Sequence, residues 1–131
     1  MIEYLLYLAP LMSKSTGSES LDLYMQFLHV ALTQAKEAPI SQLDANERAL
    51  MEAIALKDYA GECMTVMAAM AIKSLGSPAT MHRRLARLRK LGVVATVTDG
   101  NDTRIKYLKI TEPVHDYFAR MGKALLNLNV R

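Results

Sequence analysis

One cysteine, Cys63, stands among 131 residues, so the chain can form no internal disulfide and no multi-cysteine metal site. Folding must rest on packing and on any partner subunit. Long apolar runs are missing too: the most apolar stretch, YLLYLAPLM, is broken by Pro10 and stops at Ser13, short of the roughly 18 residues a membrane span needs. No membrane partner is expected. The same stretch lacks the preceding basic residues and the nearby small-residue cleavage site of a signal peptide, and the expectation is a cytoplasmic protein. Catalytic sets are also lacking. No nucleophile with a base, carboxylate pair or phosphate loop stands out, LGSPAT has one glycine and no lysine, and His29, His82 and His115 have no ligand spacing. We expect no enzyme, no metal and no cofactor. There is no internal repeat, and SKSTGSES, residues 13 to 20, is the only linker-like tract.

Acidic residues are scarce in one region only. Between residues 73 and 109 there are nine Lys and Arg against Asp99 and Asp102, whereas residues 1 to 72 hold four bases and nine acids. The overall formal charge of +3 hides this polarity. With 51% hydrophobic and 22% charged residues, the composition is ordinary for one globular core.

Leu23, Phe27, Val30 and Ala31, widened by Leu21, Leu28 and Leu32, give helical spacing from Glu19 to Glu37, ended before Pro39. Asp44 with Glu47 three residues on reads as a capping box opening a helix whose apolar face is Leu50, Met51, Ile54 and Ala55. After a break at 58 to 61, Thr65 can cap a short helix, MTVMAAMAI, whose Met64, Met67 and Met70 read as core filling. A turn at KSLG leads to Ser77 as N-cap and Pro78 at the first helical position, where its missing N–H is no loss. Met81, Leu85, Leu88 and Leu91 then recur at helical steps, and Gly92 marks the stop. VVATVT and RIKYLKI flank DGND, whose Asp-Gly pair is a hairpin signal. Thr111 and Pro113 open a last helix with Val114, Phe118, Met121, Leu125 and Leu128 at steps of three or four.

Helix, tight turn, capped basic helix and basic hairpin together form a winged helix-turn-helix pattern. The fold class expected is mainly α with a small β-hairpin wing. Three regions are expected: residues 1–40 as an N-terminal helical dimerisation region, 41–111 as the DNA-binding domain, and 112–131 as a C-terminal dimerisation helix. With Met81, Leu85 and Leu88 turned inward, the opposite face of the basic helix carries Ala79, Arg83 and Arg87, flanked by Thr80, His82, Arg84 and Lys90. Small residues at its start, Ser77, Pro78, Ala79 and Thr80, let the tip approach base edges. The guanidinium fork suits guanine or phosphate. Lys106 adds a base to the hairpin.

The run GSPATMHRRLARLRKLGVV followed by TDGNDTRIKYLKIT resembles the core of MarR-type winged-helix transcription regulators, with Asp102, Arg104, Leu108 and Thr111 in the places of the family's wing motif. The resemblance covers about Leu43 to Leu126. It implies that Arg104 reaches the minor groove or its phosphates, that the protein dimerises through its end helices, and that it represses by occluding a promoter. It departs from the family pattern in its short length and in the tract at 13 to 20.

The partners expected are therefore double-stranded DNA and a second copy of the chain, bound to an inverted repeat, with an apolar effector as a further ligand if the three methionines line a cleft. The alternative is a winged-helix adaptor that binds protein. Two residues carry two readings each: His82 as base reader or surface histidine, and Cys63 as oxidant sensor, as in some relatives, or as a small buried hydrophobe near the short helix.

Overall fold

Asp44 accepts the backbone N–H of Glu47 at 2.7 Å, and the Glu47 carboxylate accepts that of Asp44 at 2.9 Å. This reciprocal cap satisfies two amides that the first turn would leave open. Ser18, Thr65 and Ser77 likewise each accept a first-turn amide in the computed structural model, which describes residues 18–128. Residues 1–17, the first part of the region 1–40 expected above to dimerise, lie outside the described residues.

In chain order the elements are α1 (Glu19–Gln34), a 3-10 turn (Ile40–Gln42), α2 (Ala45–Tyr59), α3 (Val66–Met70), a second 3-10 turn (Lys73–Leu75), α4 (Pro78–Lys90), β1 (Val94–Thr98), β2 (Lys106–Ile110) and α5 (Glu112–Leu126). They fall into two compact units. One comprises residues 38–116, and the other, among the described residues, 18–37 and 117–128, the division falling inside α5.

Within residues 38–116, Thr65 caps α3 by accepting the Ala68 amide, and Ser77 caps α4 by accepting that of Thr80. Pro78 sits at the start of α4, and Gly92 follows its C-cap at φ +74°, the left-handed conformation that ends helices and that glycine adopts without strain. Leu50, Met51 and Ile54 of α2 and Met81, Leu85 and Leu88 of α4 are fully buried, together with Val93, Leu108 and Val114. The strands pair antiparallel with Val94 opposite Ile110 and Thr98 opposite Lys106. Val94, Leu108 and Ile110 turn into the core, as the two-residue period of a strand requires.

Four local expectations are corrected. First, α1 stops at Gln34 rather than Glu37. Pro39 has no N–H for the Ala35 carbonyl, and the last turn tightens, with Lys36 N–H bonding Thr33 O. Second, the hairpin does not turn on Asp-Gly. Residues 99 to 105 form a longer loop closed by Asp99 N–H to Ile105 O, while the Asp99 carboxylate accepts the amides of Asn101 and Asp102. Third, the wing is not only a hairpin: Leu108 N–H bonds Met64 O, and Thr65 bridges Tyr107, so the lead-in to α3 forms a third edge. Fourth, Met67 is 82% exposed and Met64 and Met70 are half-buried; the buried residue of α3 is Ala69.

In the other unit, α1 starts at Ser18, whose hydroxyl accepts the Leu21 amide. Tyr24 and Phe27 lie with ring centroids 6.0 Å apart, and Tyr117 and Phe118 5.7 Å apart. Arg120 bonds the Gln34 side chain and pairs with Glu37 at 3.3 Å.

Candidate nucleic-acid interface

The turn before α4 is shaped by one residue without a side chain. Gly76 has φ +146°, and a Cβ there would lie 2.8 Å from Arg84 Nη1 and 3.0 Å from Thr80 Cγ2. The space is filled by Arg84 itself, whose Nη1 donates to the Leu75 carbonyl. That carbonyl belongs to the 3-10 turn, so Arg84 ties the start of the basic helix to the turn preceding it.

Ser77, Pro78 and Ala79 are exposed at the tip of α4, and Thr80 is half-buried. Ser77 accepts the Thr80 amide and Pro78 has no N–H, which leaves Ala79 as the residue of the first turn whose amide has no partner among the described residues. His82 and Arg83 are exposed with no partner among the described residues, whereas Arg84 and Arg87 are engaged inside the chain. Arg87 Nε lies 2.6 Å from Glu47 Oε2, and its Nη2 donates to Gln42 O at 2.8 Å. Gln42, Asp44, Glu47, Arg83, Arg84 and Arg87 together line a cleft of about 260 Å³ beside α4.

On the wing, Arg104 projects with its side chain 89% exposed. It is aimed by a fork: Nε to Asp102 Oδ1 at 3.1 Å and Nη2 to Oδ2 at 3.0 Å, with the Arg104 amide on Oδ1 as well. The guanidinium holds the Asp102 carboxyl below the usual carboxylate range, and Asp102 raises Arg104 in return. Lys106 is exposed at the end of β2. Nearby, the charge of Asp99, followed by burial, raises the Tyr107 phenol above its ordinary value.

Three contributors escaped the sequence. Glu47 was legible as a cap but not as the partner of Arg87, 40 residues away. Asp58, in α2, accepts the Ile110 amide at 2.9 Å and lies 3.7 Å from both Lys109 Nζ and Cys63 Sγ, so it anchors the base of the wing. No spacing rule reports a contact over 52 residues. Gly76 could have been suspected from its place between a turn and an N-cap. Cys63 is half-buried rather than buried, its thiol donating to that carboxylate. Among the described residues no group of three His, Cys, Asp or Glu is placed to hold a metal, and no helix is long and apolar enough to cross a membrane.

No family profile and no curated sequence matches the chain. Among solved structures, the transcriptional regulator Tm0710 from Thermotoga maritima is similar over 76% of this chain and 67% of its own, at 15% identity and a TM-score of 0.54. FabT of Streptococcus pneumoniae, solved in complex with DNA, matches over 74% and 68% at 16% identity and a TM-score of 0.50. MepR of S. aureus bound to ethidium bromide matches over 85% and 75% at 12% identity and a TM-score of 0.59. At these identities the likeness is one of fold: the chain has the winged-helix fold of MarR-type regulators.

Proposed function

We propose that this protein is a cytoplasmic, non-enzymatic transcription regulator that binds an inverted-repeat operator as a homodimer and represses by occlusion. The observation that carries the reading is the pairing of two exposed basic features on one winged-helix unit: the α4 face at Ser77, Pro78, Ala79, Thr80, His82 and Arg83, and the wing with Arg104 and Lys106. Such a helix enters the major groove and reads base edges, while a wing arginine meets the neighbouring backbone or minor groove. FabT, of the same fold, has been solved in complex with DNA.

The dimer is supported by α1, which has an apolar stripe yet no buried residue, and by Leu125 and Leu126, both exposed near the end of α5. Apolar faces of this kind can cover each other across a two-fold axis. An apolar effector belongs to the same proposal, since MepR, with this fold, has been solved bound to ethidium bromide.

The test is selection of bound sites from a random duplex pool, followed by a salt titration. An inverted repeat with half-sites about one helical turn apart is expected, with log K falling steeply against log salt at about 0.9 per phosphate contacted. A flat salt response would support the second reading, a protein-binding adaptor, which the exposed Leu56, Tyr59 and Met67 of the same unit favour.

A further inference from the structure

Arg83 and Arg87 stand one turn apart on α4 and line the same cleft, yet they differ in what holds them. Arg83 has no partner among the described residues, whereas Arg87 bonds both Glu47 and the Gln42 carbonyl. Glu47 is 3% exposed, and no other buried charged side chain occurs among the described residues. One of its oxygens closes the cap of α2 and the other meets Arg87. We propose that Glu47 and Arg87 form a latch that sets α4 against the N-terminus of α2, so that Arg87 is a positioning residue of the recognition helix and not a DNA contact. The proposal rests on the DNA-binding reading above.

The competition between Glu47 and a phosphate decides the assignment. A phosphate that drew Arg87 away would leave a buried carboxylate with no cation, and a buried charge stripped of its partner is strongly destabilising. Arg83 can turn to a phosphate with no such penalty. Arg87 is also bound at two points, to a side chain and to a backbone carbonyl, both in the segment that opens α2. A rotation of α4 relative to α2 would break both together.

Glutamine at the third helical position closes a capping box as glutamate does. Glu47→Gln therefore removes the ion pair while keeping the helix cap. The experiment compares wild type, Glu47→Gln, Arg87→Gln and the double variant. Cooperative unfolding is checked for each, and binding to the selected operator and to random duplex is titrated with KCl. Glu47→Gln should steepen the slope of log K against log salt by about 0.9, because the released Arg87 takes a phosphate. It should also lower the ratio of operator to random affinity, because α4 is no longer held in place. Arg87→Gln should lower that ratio with the slope unchanged, and the double variant should return to the wild-type slope.

Three results would overturn the latch: an unchanged slope in Glu47→Gln, a slope flattened by about 0.9 in Arg87→Gln, or a steepening that persists in the double variant. Should Arg87→Gln fail to fold for want of a partner for Glu47, the Glu47→Gln and double variants decide, since neither buries an unpaired charge. Wild-type protein that binds no duplex at low salt would remove the DNA reading and the latch with it. Binding by the wild type with a flattened Arg87→Gln slope removes the latch alone.

Discussion

Helix α1 and helix α4 are both amphipathic, but they end in different situations. Helix α4 buries Met81, Leu85 and Leu88 completely, inside a unit where α2, the wing and the first turn of α5 supply the remaining walls. Helix α1 carries Leu21, Leu23, Phe27, Leu28, Val30 and Leu32 and buries none of them, with Leu21 and Tyr24 exposed. The contrast teaches that apolar content does not make a core. A core needs walls on every side, and residues 38–116 contain theirs. The described part of the other unit is left with apolar surface, the surface that the proposed dimer would cover.

The comparison breaks most visibly if that surface is covered by a second copy. Phe118→Asp combined with Leu125→Asp should convert the protein to a monomer by light scattering. It should also weaken operator binding by roughly 10²- to 10⁴-fold, as the second half-site loses its tethered reader. Wild-type protein that is already monomeric and equally tight would erase the distinction between the units. Next in size, Leu85→Ala should cost about 2 to 5 kcal/mol of unfolding free energy whatever the protein concentration. Phe27→Ala in α1 should show a loss that depends on concentration, as stability linked to assembly does; chemical denaturation at two concentrations measures both.

A smaller effect sharpens the contrast inside the basic unit. Arg83→Ala should cost about 1 to 3 kcal/mol at the operator and relax preference at one base pair, whereas Arg104→Ala should weaken operator and random duplex alike. Equal losses on every sequence in both variants would contradict the separate roles. Smallest of all, Cys63→Ser should shift stability by less than about 0.5 kcal/mol and leave DNA binding unchanged with or without peroxide. Its thiol is half-buried and donates to the Asp58 carboxylate, a contact already made inside the chain. A peroxide response lost in the variant would make it a sensor.

The caps at Asp44, Thr65 and Ser77, the proline at the start of α4 and the glycine after it were legible because each acts within three or four residues of itself. Contacts that fix the site were not. A glutamate at the third position of a capping box reads the same with or without an arginine beside it, and Asp58 reads as an ordinary surface acid near a helix end. The methionines misled for another reason. Met64, Met67 and Met70 recur every three residues, but α3 spans only Val66–Met70 and turns Ala69 inward, leaving Met67 outside. A helix of five residues is placed by what surrounds it and not by its own stripe.

The Asp102–Arg104 fork has a consequence for how fast a complex forms. Seen from beyond a Debye length, an arginine with a carboxylate at 3.0 Å is nearly a neutral dipole, and it adds little to the long-range field that draws a polyanion in. Steering on the proposed reading falls instead to Lys73, Arg83, Arg89 and Lys90, exposed cations without a partner among the described residues. Arg104 acts after encounter, when its oriented guanidinium lengthens the residence time of a complex that the helix has already captured.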